Sequence, residues 1–378
     1  MAKQKTSSSR RGSRRSGGVS RVAPSRSSAP QRWSIDQARA WADAHPWLIG
    51  CNYTPRTAIN QLEMWQADTF DPQTIDEELG WAESLGFNSV RVFLHDLLWQ
   101  HDRDGLLRRM ERFLKLADRH GIGVMFVLFD SCWHPFPRLG PQPMPEPGVH
   151  NSGWVQSPGV AVMRDPARFE KLKGYVTGVI RHFRDDERIH CWDLWNEPDN
   201  PNTMSRGVRD IADKGPVVAP LLEKTFAWAR SAKPSQPLTC GVWAGGAWGD
   251  DASLKPWERV QIEHSDLVSF HWYGDAASTE KVIAMLQRYE RPLLCTEYMA
   301  RGNDSRFEQI LPVLKKHRVG AYNWGFVAGK TQTHYAWDSW QRPYGEEPPL
   351  WFHDIFRPSG KPYQAAEVKL IRKLTGAG

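Results

Sequence analysis

Past residue 32 the chain alternates short, almost wholly apolar runs with longer stretches whose apolar positions recur every three to four residues. The short runs, at 47–53, 89–94, 123–129, 190–195, 238–242, 267–272, 293–297 and 321–326, read as strands buried on both faces, as strands of parallel sheets are. The periodic stretches predict helices at 72–85, 106–120, 169–183, 217–232, 255–264, 279–289, 306–317 and 363–374. Pro72 suits the first turn of its helix, and Gly86 and Gly121 stand where two of the helices should stop. Eight strand–helix repeats predict an α/β fold of the (β/α)8 TIM barrel type. An open doubly wound sheet would show a glycine-rich phosphate turn after its first strand, and here that strand runs into Asn52-Tyr53-Thr54-Pro55. Two loops stand out for length, 130–165 after strand 3 and 328–360 after strand 8. Both leave the C-terminal ends of strands, the face on which barrels build active sites. Glu63-Met64-Trp65-Gln66, after strand 1, reads as an inserted helical turn over the barrel mouth.

Charge divides the chain in two. Residues 1–32 hold two lysines and seven arginines with no acidic residue, so of the net +6 the remaining body carries −3. This Ser/Arg/Gly-rich tail has too little apolar surface to offset the entropy of ordering, and it is expected to be disordered. Residues 33–378 then form a single catalytic domain. Nucleic acid is not an expected partner beyond non-specific contacts of the tail. The pairs Arg10-Arg11 and Arg14-Arg15 are followed by no apolar segment of the kind an export signal needs, and no run approaches the ~18–20 apolar residues that span a bilayer. The five cysteines (Cys51, Cys132, Cys191, Cys240, Cys295) show no metal-like spacing and read as small buried hydrophobes in a reducing compartment such as the cytoplasm.

Two strands end in glutamate: Trp192-Asp193-Leu194-Trp195-Asn196-Glu197-Pro198 on strand 4, and Leu293-Leu294-Cys295-Thr296-Glu297-Tyr298 on strand 7. A pair of carboxyl groups facing one another across a cleft is what cleavage of a glycosidic bond requires. Arg91, a charge inside the otherwise buried run Ser89-Val90-Arg91-Val92-Phe93, is positioned to keep one carboxylate ionised. His271-Trp272-Tyr273 closes strand 6 and Asn323-Trp324-Gly325 closes strand 8.

In this order, Arg on strand 2, Asn-Glu on 4, His-x-Tyr on 6, Glu on 7 and Trp on 8, the chain from about 47 to 374 resembles glycoside hydrolase clan A, whose (β/α)8 members include the family 5 cellulases and mannanases. The resemblance implies Glu197 as acid/base and Glu297 as nucleophile of a retaining β-glycosidase acting on a carbohydrate substrate, with no metal and no cofactor. It implies Asn196 on the sugar 2-hydroxyl, Tyr273 holding Glu297, His271 lining the same pocket, and Trp324 as the floor of the subsite beside the bond. Strand 3 departs from family 5, reading Leu128-Phe129-Asp130-Ser131-Cys132-Trp133-His134 where many members carry histidine. Asp130, or His134 folding back, and the pair His95-Asp96 are further candidates for sugar hydroxyls. Among the nineteen tryptophans, Trp65, Trp99, Trp133, Trp154, Trp243, Trp248 and Trp340 lie in or near cleft-side segments and are candidate subsites. The same residues would serve a transglycosylase, and a carbohydrate-binding barrel without activity is the other class, which predicts loss of a carboxylate.

Overall fold

The computed structural model describes residues 31–204 and 209–378. The expected disorder of the basic tail falls outside them, except at its last residues. There Arg32, placed with the tail by its charge, donates to the carbonyls of Ser265 (2.5 Å) and Ile262 (2.7 Å), so it is pinned to the body.

Eight parallel strands form the barrel: β1 (Ile49–Asn52), β2 (Ser89–Phe93), β3 (Gly123–Asp130), β4 (Ile189–Asn196), β5 (Leu238–Thr239), β6 (Val268–His271), β7 (Leu293–Tyr298) and β8 (Gly320–Asn323). They pair in the order β5-β4-β3-β2-β1-β8-β7-β6. Each predicted run holds one strand. The run at 238–242 keeps only two residues as strand, and beyond them the ring closes on β6 through a bridge at Val242. Its N–H donates to Ser269 O (3.1 Å), and its carbonyl accepts from His271 N (2.9 Å).

The helices among the described residues are α1 (Ile35–Ala44), α2 (Gln61–Trp65), α3 (Pro72–Ser84), α4 (Asp96–Arg119), α5 (Val160–Met163), α6 (Lys173–His182), α7 (Gly215–Ser231), α8 (Pro256–His264), α9 (Ala276–Leu286), α10 (Phe307–Lys316) and α11 (Ala365–Thr375). None is long and apolar enough to cross a membrane. Asp71 caps α3 by accepting from Thr74 N, and the chain leaves that helix at Gly86 in the left-handed region (φ 73°), as its sequence demands. Helix α4 begins well before its apolar period does. Asp102 breaks it with non-helical angles and re-caps the second part by accepting from Gly105 N (3.1 Å), so the periodic pattern starts only after the kink. The predicted helical turn is α2, capped by Asn60 and fully buried, with Trp65 packed on Phe113 and Phe126 in the shell outside the strands.

The barrel interior is layered. At the N-terminal end Leu48, Met125, Cys191, Leu267, Leu294 and Tyr322 pack against Ala38, Trp33 and Trp41, so α1 and the residue before its cap plug the bottom. Near the C-terminal end Phe93, Val127, Cys132 and Trp154 make an aromatic layer with Trp133 and Trp324. Between these layers lies a polar one, described below. Outside the strands a continuous apolar shell joins barrel to helices.

The loop after β8 is fastened to the body by Arg301. This buried guanidinium pairs in a two-pronged fashion with Glu367 of α11 (2.8 and 2.7 Å) and donates to the carbonyls of Trp351, His353 and Asp354. Replacing Arg301 by alanine would strand the Glu367 carboxylate in a dry interior and is expected to lower stability by about 3–5 kcal/mol. A urea midpoint equal to that of the parent protein would show the clamp to be dispensable.

Candidate active site

The centre of the polar layer is Arg91, wholly inaccessible to solvent. Its position on β2 points inward, and each part of the guanidinium finds an acceptor on another strand. Nε donates to Asp193 Oδ2 (3.0 Å), Nη1 to Asn52 Oδ1 (2.7 Å) and Glu297 Oε1 (3.1 Å), and Nη2 to Asn196 Oδ1 (2.8 Å). Strands β1, β4 and β7 are thereby tied to β2 through one side chain.

Glu297, on β7, receives a second bond from the Tyr273 hydroxyl on Oε2 (2.8 Å). Burial pushes its carboxyl up from the usual range, and Glu197 adds to that push. His271, Arg91 and Tyr273 oppose it. Glu197 follows β4 in a left-handed backbone conformation (φ 44°) ahead of Pro198. A non-glycine residue held there stores about 1–3 kcal/mol of strain, and such strain collects at functional sites. Its Oε1 lies 2.9 Å from His271 Nδ1, and its Oε2 accepts from Asn200 Nδ2 (2.6 Å) and from the Cys132 thiol (3.3 Å). Burial raises Glu197 to about 7, against the pull of the Asn200 and Cys132 donors. Burial also drives His271 down to about 4, so at neutral pH its imidazole carries no charge. An oxygen of each glutamate and a ring nitrogen of His271 lie within 4.8 Å of one another. By composition these three could ligate a cation, but Arg91 already places a permanent positive charge on Glu297.

Both glutamates, with Asn196, His271, Tyr273 and Trp324, border one cavity of about 540 Å³ at the C-terminal mouth of the barrel. Trp324 is held edge-on to Phe93 (5.9 Å) and Trp154 (6.1 Å). Four other sequence candidates lie elsewhere. Asp130 is used up by protein donors: Oδ1 accepts from Cys132 N (2.9 Å) and Asn196 Nδ2 (3.0 Å), Oδ2 from Trp154 Nε1 (2.6 Å) and Gln61 Nε2 (3.3 Å). It orients Asn196 and has no capacity left for a sugar. His95 is the N-cap of α4, accepting from Leu97 N (3.2 Å), and Asp96 binds Ser157 Oγ (2.9 Å) and Gln100 Nε2 (2.7 Å). Both are buried behind the site. His134 does not fold back either; its Nε2 meets Ser152 O at 3.0 Å.

Of the seven candidate tryptophans Trp133 and Trp243 border the cavity, joined there by Trp272 and Trp337. Asp199 holds Trp243 in place by accepting from its Nε1 (2.6 Å). Trp65, Trp154 and Trp248 are core, Trp99 packs on Tyr175, and Trp340 lies behind Trp133. Asn52, Asp193, Cys132 and Asn200 escaped the sequence reading. Asp193 carries the same signal that marked Arg91, a charge in a buried strand. Cys132 is free, like the other four buried cysteines, and burial pushes its thiol up so that it stays a neutral donor.

No protein-family model matches this sequence, and no curated protein matches it. Solved structures do match in shape. The GH5_18 protein from Streptomyces cattleya in complex with Manβ1-4GlcNAc aligns with a TM-score of 0.58 at 14% identity, over 86% of this chain and 80% of its own. The exo-β-1,4-mannosidase Op5Man5 from Opitutaceae bacterium strain TAV5 gives 0.59 at 19% identity, over 87% of this chain and 60% of its own. The hyperthermostable endo-1,4-β-D-mannanase from Thermotoga petrophila RKU-1 gives 0.53 at 15% identity, over 87% of this chain and 99% of its own. What this chain shares with these glycoside hydrolases, at such identities, is the (β/α)8 barrel fold.

Proposed function

We propose that the protein is a retaining β-glycoside hydrolase in which Glu297 is the nucleophile and Glu197 the acid/base. The observation that carries the reading is the approach of the two carboxyl groups, oxygens within 4.8 Å, in sharply different company. Retaining enzymes hold their carboxyls about 5–5.5 Å apart, whereas inverting ones leave about 6.5–9.5 Å for a water molecule. Glu297 touches a permanent cation and a tyrosine hydroxyl, partners that favour its anion. Glu197 touches only an amide, a thiol and an uncharged imidazole, and its pKa near 7 lets it hold a proton at neutral pH.

In the first step a Glu297 oxygen attacks the anomeric carbon as the bond to the leaving oxygen breaks, and the Glu197 proton passes to that oxygen. A glycosyl ester on Glu297 results. In the second step the Glu197 carboxylate takes a proton from water, the water oxygen displaces Glu297 at the anomeric carbon, and Glu197 regains its acid form. Asn196, oriented by Asp130 and Arg91, is placed to bind the 2-hydroxyl, and Trp324 offers an aromatic face to the sugar. The proteins of similar shape named above are a mannosidase, a mannanase and one bound to Manβ1-4GlcNAc, which makes β-mannosides the first substrates to try.

A 2-deoxy-2-fluoro glycoside with a good leaving group should label Glu297, identified by mass spectrometry of the peptic peptide, and Glu297→Gln should abolish both labelling and turnover. Labelling elsewhere would refute the assignment. Glu197→Gln should lower kcat by about 10²–10⁴-fold on poor leaving groups and far less on activated aryl glycosides. Equal losses on both would deny it the proton-donor role.

The pH profile has a definite sign. Activity needs protonated Glu197, so the rate should fall as pH rises through about 7. Asn200 and Cys132 donate to the carboxylate and favour its charged form, so Asn200→Ala or Cys132→Ala should move this basic limb to higher pH. A limb that stays put or moves down in both variants would show that it belongs to another group.

A further inference from the structure

Beside the loops that follow β3 and β4 lies a buried ion pair to which neither glutamate contributes. Lys214, at the start of α7, and Asp210, four positions earlier, meet at 2.6 Å with side chains 0% and 2% exposed. Burial pulls the ammonium down, and Asp210 opposes that pull. One oxygen, Asp210 Oδ2, collects three donors from three parts of the chain. They are Lys214 Nζ (2.6 Å), Gln156 Nε2 (2.7 Å) of the loop after β3, and Asn202 Nδ2 (2.6 Å) of the loop after β4. The other oxygen accepts from Ile211 N (2.7 Å). Two charges taken out of water add little to stability by themselves, so the informative question is what such a pair holds in place.

It holds the two turns that carry the donors to Glu197. Lys214 Nζ and Asn202 Nδ2 both donate to Ser131 O (3.1 and 2.7 Å). Gln156 Nε2 donates to Trp133 O (2.9 Å), and Asn202 Oδ1 accepts from Trp133 N (2.6 Å). Cys132, between Ser131 and Trp133, is therefore fixed from both sides. Trp133 itself is kept in the left-handed region (φ 66°), which is uncommon for a bulky residue. In the other turn the N–H of Asn202 donates to Asn200 Oδ1 (2.8 Å). With its oxygen engaged there, the Asn200 amide presents its nitrogen to Glu197 Oε2 (2.6 Å). Both donors to that oxygen thus stand on backbone that the Asp210 carboxylate gathers.

We infer that Asp210 is a positioning residue for the acid/base: with Lys214 and Asn202 it sets where the Asn200 amide and the Cys132 thiol stand against Glu197; this rests on the hydrolase reading above. The carboxylate of Asp210 touches no reacting atom. It acts through Asn202, whose side chain ties the turn after β3 to the turn after β4 and whose backbone orients Asn200. Misplaced donors stabilise the Glu197 anion less, so the proton is held more tightly and passes less readily to the leaving oxygen. The other ionisable groups facing Glu197 belong to different elements: His271 on β6, Glu297 on β7, Arg91 on β2, and Asp199 on its own loop. A substitution at 210 leaves all four side chains in place.

The test follows the basic limb of the pH profile on aryl β-glycosides with poor and with activated leaving groups. Asp210→Ala should slow the poor leaving group about 10-fold, change the activated one about 2-fold or less, and move the limb to higher pH. In a protein already lacking both donors, Asn200→Ala/Cys132→Ala, the same substitution should move the limb no further, because residues acting through one another do not add. A limb unmoved by Asp210→Ala, or one moved as far again in the triple variant, overturns the inference. Asn202→Gly cuts the relay while keeping the ion pair, at a position whose backbone (φ 52°) suits glycine. It should shift the limb in the same direction, and it decides the matter if Asp210→Ala, which strands Lys214, does not fold. An unmoved limb in Asn202→Gly counts equally against the role of Asp210. If the parent protein cleaves no β-glycoside and Glu297 takes no label from the fluoro sugar, the hydrolase reading falls, and this inference with it.

Discussion

A guanidinium with no access to water must find anions and acceptors for all its donors, or the fold that buries it is lost. Arg91 meets that demand inside the barrel by reaching to Asn52 on β1, Asp193 and Asn196 on β4, and Glu297 on β7. The constraint acts in both directions. Glu297 is tolerable in a dry interior because Arg91 is beside it, and Arg91 is tolerable because Asp193 and Glu297 supply negative charge. The polar layer thus holds the strands in register while setting the charge state of the residue proposed as nucleophile. Below it the interior is apolar and plugged by α1; above it aromatic rings exclude water. Those two layers keep the effective dielectric low, which makes the identity of each neighbour decisive.

The two glutamates show how much neighbours decide. Both are buried almost to the same degree, and burial alone would push both carboxyls up. The difference lies in who donates to them: a permanent cation and a phenol at Glu297, a neutral amide and a thiol at Glu197. Two like groups in unlike company are the starting point for an acid/base division of labour. The strained backbone at Glu197 belongs to the same design, since it turns the side chain from the strand axis into the cleft, where Asn200 and His271 meet it.

The barrel was legible because strands buried on both faces and amphipathic helices write different periods, and each of the eight runs became a strand. Where the reading fell short, tertiary contacts outweighed local pattern. Helix α1 stands outside the strand–helix alternation, plugging an end of the barrel rather than lining a side, and α4 begins with a turn whose cap is His95. At the site the most informative signal was a charge inside an apolar strand, which marked Arg91 and would have marked Asp193. Polar residues at strand ends were harder. Asp130, His95 and Asp96 look in sequence as Asn196 and His271 do, yet the first three are buried behind the cavity that the last two border. Only position relative to the cavity separates a binding residue from a cap or a brace.

Hydrogen bonds to the protein body also explain why the loop after β8 cannot be treated as a passive flap. Arg301 fixes the carbonyls of Trp351, His353 and Asp354 while pairing with Glu367 on α11. The His353 ring packs 5.8 Å from Tyr273 and 5.8 Å from Trp337, and Tyr273 in turn donates to Glu297. Further along, the loop is sewn to the loop after β3 at Thr331 and Ser339. A single clamp outside the barrel therefore supports both the hydroxyl that holds Glu297 and the seam between the two long loops. Because close-packed contacts transmit displacement rather than absorb it, loosening the clamp would misplace both at once. The outer face of this barrel and the chemistry at its mouth are parts of one mechanical unit.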